Sequence, residues 1–241
     1  MIFLRSLLFQ IGFYLMTAAL GVLGLPLLLA PADWVLRFGT FWSDATLHLL
    51  RWTVGLDYEV RGTELLPAGA AIIAMKHQSA WDTLAAPVVF DRPAIIFKRE
   101  LGYIPIYGWY VRKAGMIPLD RGGGAKALKG MLAACRPVVA AGRPILIFPE
   151  GTRSAVGVTL PYQPGVYALA RQLAVPIVPV AVNSGLFWGR RAFLRRPGHI
   201  IVEILPPIRP GPDRRATLQA LAAAIESATA RLVTESRHAR G

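Results

Sequence analysis

The sequence predicts an α/β protein: a largely parallel mixed sheet flanked by helices, preceded by an N-terminal membrane-embedded helical segment. Three observations carry this expectation. Residues 6–32 contain no charged side chain. Beyond residue 55, short β-rich runs alternate with helix-compatible stretches, as parallel sheets require. Clusters of polar residues then fall directly after four of those runs, where the turns of a parallel sheet gather at one end.

The first element is the uncharged run "SLLFQIGFYLMTAALGVLGLPLLLAPA". As a helix it is long enough to cross a bilayer, which takes about 20 apolar residues. Pro26 is expected to kink it near its end. A signal peptide is the competing reading, with Ala30-Pro31-Ala32 as its small-residue site; the apolar run is longer than such a core normally is. A buried core helix is the other.

The next element, residues 34–52, places Trp34, Phe38, Phe41, Trp42, Ala45, Leu49 and Trp52 on one helical stripe. Arg37, Thr40, Asp44, His48 and Arg51 fall opposite. An aromatic stripe backed by a polar face suits a helix lying among lipid headgroups; packing on the core is the alternative. Residues 1–55 are therefore read as membrane-anchoring helices and 56–241 as the α/β domain.

Strands are expected at 57–60, 71–75, 94–97, 116–119, 144–148, 177–182 and 199–205, with helices at 80–90, 104–114, 124–141 and 164–174. Pro137 should kink or divide the third of these helices. A last helix, about 213–236, carries Leu218, Leu221, Ala222, Ile225, Thr229 and Leu232 on one face, with Asp213 as N-cap.

Composition narrows the chemistry. One cysteine, Cys135, excludes an internal disulfide framework. Four scattered histidines without HExxH or CxxC spacing point away from a structural metal site. Net charge is +13, and 22 of the 27 basic residues are arginine, whose guanidinium grips phosphate through paired hydrogen bonds. An anionic partner follows. With no helix-turn-helix or RNP signature, nucleic acid is not expected. No G-x-S-x-G elbow marks a serine hydrolase.

The polar clusters are "KHQSAWD" after 71–75, "KRE" after 94–97, Asp120-Arg121 after 116–119 and "PEGTRS" after 144–148. His77 and Asp82 stand five apart, about 140° round an ideal helix, so within one helix they could not meet. A helix starting near Ser79 changes this: Asp82 in its first turn can accept the His77 Nδ1 proton and leave Nε2 as a base. Alternatively Asp82 merely complements the helix dipole. In "FPEGTRS", Gly151 permits close backbone approach and Arg153 can hold a phosphate. "FWGRRAFLRRPGH" (187–199) reads either as a lipid-facing basic segment or as a solvated loop.

Taken in order, these blocks resemble the glycerolipid acyltransferase family over residues 56–210. His77 to Asp82 matches its H-x-x-x-x-D block, "FKREL" with "GMIPLDR" its second, "FPEGTRS" its third and "VPIVPVAV" (175–182) its fourth. The resemblance implies that His77, oriented by Asp82, deprotonates a lysophospholipid hydroxyl, which then attacks an acyl thioester. Arg153 and Lys98 would hold the acceptor phosphate, with Arg121 in support. Glu150, Gly151 and Thr152 would complete the acceptor site. The fourth block would wall the acyl chain; an edge strand bearing Pro176 and Pro179 is the other reading. The implied partners are a lysophospholipid acceptor, acyl-CoA or acyl carrier protein as co-substrate, and an anionic membrane surface, with no separate cofactor. The closest implied reaction gives phosphatidic acid. Another lysolipid acceptor, such as a lyso-ornithine lipid, and a non-catalytic basic membrane binder are the alternatives. A thioester made in the cytosol would require the catalytic turns to face the cytoplasmic side of the inner membrane.

Overall fold

The computed structural model describes residues 1–120, 122 and 124–238. All seven expected strands form: β1 Leu56–Arg61, β2 Ile72–Met75, β3 Ala94–Lys98, β4 Ile117–Leu119, β5 Ile145–Ile147, β6 Ile177–Val182 and β7 Gly198–Ile204. They make one sheet in the order β1-β7-β6-β2-β5-β3-β4. Strands β2 to β6 run parallel, while β7 is antiparallel to β6 and carries β1 parallel to itself. The short central strand β2, buried throughout and flanked by β6 and β5, aims its carboxyl end at the site.

The helices are α1 Ile2–Leu23, α2 Ala32–Val54, α3 Ala80–Val89, α4 Tyr107–Lys113, α5 Gly124–Ala140, α6 Gly165–Leu173 and α7 Arg214–His238. Alternation along the strands feeds two apolar layers. Ile73 and Met75 of β2 join Leu47, Leu50 and Trp81 from α2 and α3. Ile72 and Ala74 join Met131, Leu169 and Leu221 from α5, α6 and α7. Asp213 caps α7 as expected, its Oδ1 accepting the Arg215 and Ala216 N–H groups.

Four local expectations change. Pro137 does not divide α5: the helix runs on to Ala140. The stretch 104–114 is helical only from Tyr107, after Pro105. The uncharged run 6–32 is not one helix either. α1 ends at Leu23, and Pro26 sits in a 3-10 turn, Leu25–Leu29.

The fourth change concerns β6, which is internal, between β7 and β2, so Pro179 is not at an edge. Pro179 is tolerated because β7 pairs only with Val180–Val182, and the next bridge is Ile177 to Ile208. Its missing N–H faces that break, while its carbonyl still accepts from Leu205 N.

The aromatic stripe of α2 divides. Trp34, Phe41 and Trp52 are exposed. Trp42 instead donates its indole N–H to Thr17 Oγ1 of α1 at 3.0 Å, and a Cβ at Gly12 of α1 would meet Leu49 at 3.1 Å. Val35, Leu36, Thr46, Leu47, Leu50 and Val54 form the buried face of α2.

Candidate active site

The stretch "KHQSAWD" leaves β2 and enters α3 through Ser79, an extended N-cap residue. The Ser79 side chain accepts from Trp81 N at 3.1 Å, and Asp82 accepts from Ser79 N at 2.8 Å, the reciprocal pair of a capping box. This bend turns Asp82 back onto His77. Nδ1 of His77 lies 2.9 Å from Asp82 Oδ2. The same oxygen accepts Gln78 N at 2.7 Å, and Oδ1 accepts the Ser184 hydroxyl at 2.5 Å. Asp82 is therefore both cap and histidine partner.

His77 Nε2 has no hydrogen-bond partner among the described residues, and the ring stacks on Phe148 with centroids 3.8 Å apart. An imidazole with Nδ1 held by a buried carboxylate and Nε2 free is arranged as a general base. No group of three or more potential metal ligands lies together among the described residues.

The turn after β5 comes up beside the histidine. Ser154 N donates to the His77 carbonyl at 2.8 Å. Glu150 is 3 % exposed; its Oε2 accepts His77 N at 3.1 Å and its Oε1 accepts Lys76 Nζ at 2.7 Å. Gly151 has φ +68°, where a side chain would be strained. Thr152 is exposed. Arg153 is partly exposed and makes no hydrogen bond or ion pair among the described residues, so its guanidinium is uncommitted.

Lys98, at the end of β3, is half exposed and pairs with Glu100 at 3.4 Å. Its neighbour Arg99 pairs with Asp120 at 3.4 Å, bringing the ends of β3 and β4 together. Arg121 lies outside the described residues. The first and third blocks thus converge in direct contact, and the second flanks them.

Sequence reasoning did not single out Ser184, Phe148, Lys76 or Glu226. Phe148 and Lys76 lay within quoted blocks without a role. Ser184 lies two positions past the fourth block, so the end of that strand delivers a hydroxyl to the dyad. Glu226 is a lone acid in "LAAAIESATA", outside the apolar face named for the last helix, and no local signal marks it.

Comparison with known proteins identifies the family and the fold. The family model described as Acyltransferase matches residues 57–183, more than half of the chain. A 1-acyl-sn-glycerol-3-phosphate acyltransferase of Pseudomonas aeruginosa is 36% identical over 165 residues, covering 68% of this chain and 64% of that protein. The protein of that name in Saccharomyces cerevisiae is 33% identical over 165 residues, covering 67% of this chain and 54% of its own length. The chain thus spans less than two thirds of the length of these two relatives. The fold matches the crystal structure of the 1-acyl-sn-glycerophosphate (LPA) acyltransferase from Thermotoga maritima with a TM-score of 0.81 at 22% identity, over 96% of this chain and 98% of that one. With its histidine–aspartate block and FPEGTRS block in contact at the carboxyl end of the sheet, the chain belongs to the acyltransferase family.

Proposed function

We propose that the protein transfers a fatty acyl group from an acyl thioester to the sn-2 hydroxyl of 1-acyl-glycerol-3-phosphate, giving phosphatidic acid. The observation that carries this reading is the Asp82–His77 pair, with Nε2 free, in contact through Ser154 with the turn that carries Arg153 and its uncommitted guanidinium. Nε2 of His77 takes the acceptor's hydroxyl proton as its oxygen attacks the thioester carbonyl. The tetrahedral intermediate collapses with cleavage of the C–S bond, and the imidazolium returns the proton to the departing thiolate. Asp82 holds the tautomer and stabilises the imidazolium. Arg153, with Lys98 and Arg121, binds the acceptor phosphate, which the arginine-rich composition supports. Residues 1–55 anchor the domain 56–241 at the membrane, with the site on the cytoplasmic side.

The test is thiol release from acyl-CoA and from acyl carrier protein thioester, with and without lysophosphatidic acid, and product identification by mass spectrometry. Release should depend on the acceptor and yield phosphatidic acid. A hydrolase releases thiol without acceptor, and a binding protein releases none. Arg153→Ala should raise the acceptor KM about ten- to a hundredfold through loss of a charge-assisted contact, with the donor KM nearly unchanged. Equal losses for both substrates would give Arg153 a structural role instead.

A further inference from the structure

Lys76 is 1 % exposed, an unusual place for a lysine. It continues the Ile72 and Ala74 side of β2 and so points into the layer that holds α6 and α7. Its ammonium group makes three contacts there: Glu150 Oε1 at 2.7 Å, Glu226 Oε1 at 2.7 Å and the Val158 carbonyl at 3.4 Å. Three donors meet three acceptors.

Each carboxylate reaches further. Glu150 holds the His77 N–H through Oε2. Glu226 accepts the Tyr162 hydroxyl at 2.9 Å and the Thr159 hydroxyl at 3.2 Å. Burial, reinforced by the Glu226 carboxylate, pushes the Tyr162 phenol upward, so that it stays a donor. Thr159 and Tyr162 lie in the segment that leaves Arg153, whose far end returns to the turn through Gln163 N on the Pro149 carbonyl at 2.8 Å. A continuous polar path therefore runs from the catalytic histidine's backbone to α7, and Glu226 lies beyond the 57–183 stretch that the family model matches.

We propose that Lys76 and Glu226 are positioning residues of the transfer site, forming with Glu150 a buried clasp through which α7 holds the His77 backbone and the loop following Arg153. The proposal rests on the acyl-transfer reading for its kinetic consequences. Its two arms differ. Lys76 and Glu150 fix the base, so loosening them misplaces Nε2 and lowers kcat. Glu226 fixes the loop 155–163, so loosening it weakens presentation of Arg153 and raises the acceptor KM. Ordinary structural support would lower thermal stability without separating the two constants.

The test uses the full chain in membranes or detergent. Lys76→Met keeps the aliphatic stem and removes the ammonium group. Its kcat should fall up to about a hundredfold, the cost that small misplacements of reacting groups reach, with both KM values near wild type. Backbone hydrogen exchange over residues 76–82 should accelerate. Glu226→Ala should raise the acceptor KM several-fold with kcat retained. Glu226→Gln, which keeps an oxygen for the Tyr162 hydroxyl and offers its NH2 to the Thr159 hydroxyl oxygen, should restore most of that loss. A folded Lys76→Met protein with wild-type kcat and unchanged exchange over 76–82 overturns the proposal, as does Glu226→Ala with an unchanged acceptor KM. Should Lys76→Met fail to fold, the partly exposed Glu226 pair of variants decides alone. If the wild type transfers no acyl group to lysophosphatidic acid, the acyl-transfer reading fails while the exchange measurement still judges the clasp.

Discussion

Asp82 carries two roles on one carboxylate, and they can be separated. Its Oδ2 accepts two backbone N–H groups at the start of α3 as well as His77 Nδ1. In Asp82→Asn the amide oxygen can still accept those N–H groups, with the NH2 turned towards the Ser184 hydroxyl. The cap survives and the charge opposite the imidazolium is lost. We expect a thermal transition close to wild type and a kcat lower by about 10²–10⁴-fold. A folded variant with near-normal kcat would refute the dyad and leave Asp82 as a helix cap. The sequence made this pair legible because H-x-x-x-x-D straddles a strand end and an N-cap serine, both local signals. The partners on the other side of the same site were not legible. Ser184 is 102 positions from Asp82 and Glu226 is 150 from Lys76, and only the sheet order brings them together.

At the scale of elements, strand and helix periodicity located every strand; some misses are local breaks near proline, and two others arise because tertiary packing re-used a face that local pattern had assigned elsewhere. Trp42 and Leu49 of the α2 stripe pack on α1. The proline-bearing β6 sits inside the sheet because a neighbouring ladder breaks where its N–H is missing. α5 shows the reverse, an unremarkable helix whose lone thiol faces the core. Cys135 is fully buried against the α5–α6 layer, and burial pushes its pKa up to about 12. At neutral pH the folded thiol is protonated and inaccessible, which fits its absence from every catalytic block. Iodoacetamide at pH 8 should therefore label the native chain very slowly and leave turnover intact, and one fast thiol per chain should appear on unfolding. The linkage sign follows. An unfolded cysteine ionises near about 8.5, so its contribution to stability is full below that value and is lost as pH climbs towards about 12. Rapid native labelling that stops turnover would place Cys135 at the site instead.

At the scale of the molecule, the proposed membrane anchoring falls to α1. Its most apolar window has a mean hydropathy of 1.8 and only 11% of it is buried, so the helix offers a long apolar flank to its surroundings. At 1.5 Å per residue its 22 residues would reach across a hydrocarbon core of about 30 Å. Both ends, however, touch the same α/β domain. Near the amino end, Ser6 Oγ accepts Arg195 N at 2.9 Å and Phe3 packs on Phe193. Near the carboxyl end, the Gly21 carbonyl accepts the Tyr110 hydroxyl at 3.0 Å. A helix crossing the bilayer would have to surrender one set of these contacts. We therefore expect α1 to lie along the domain within one leaflet, beside the exposed Tyr103, Ile104 and Trp109. The full chain should stay with membranes through 1 M salt, where the screening length is about 3 Å and charge attraction fails, and detergent should release it. Release by salt alone would reduce the attachment to the +13 charge. Because Cys135 is buried, Ile2→Cys and Leu29→Cys each supply one accessible thiol at opposite ends of the segment. In sealed vesicles both should react with an impermeant maleimide from the side of the catalytic domain. Labelling from opposite sides would show that α1 spans the membrane and that its docking on Arg195 or Tyr110 is broken there.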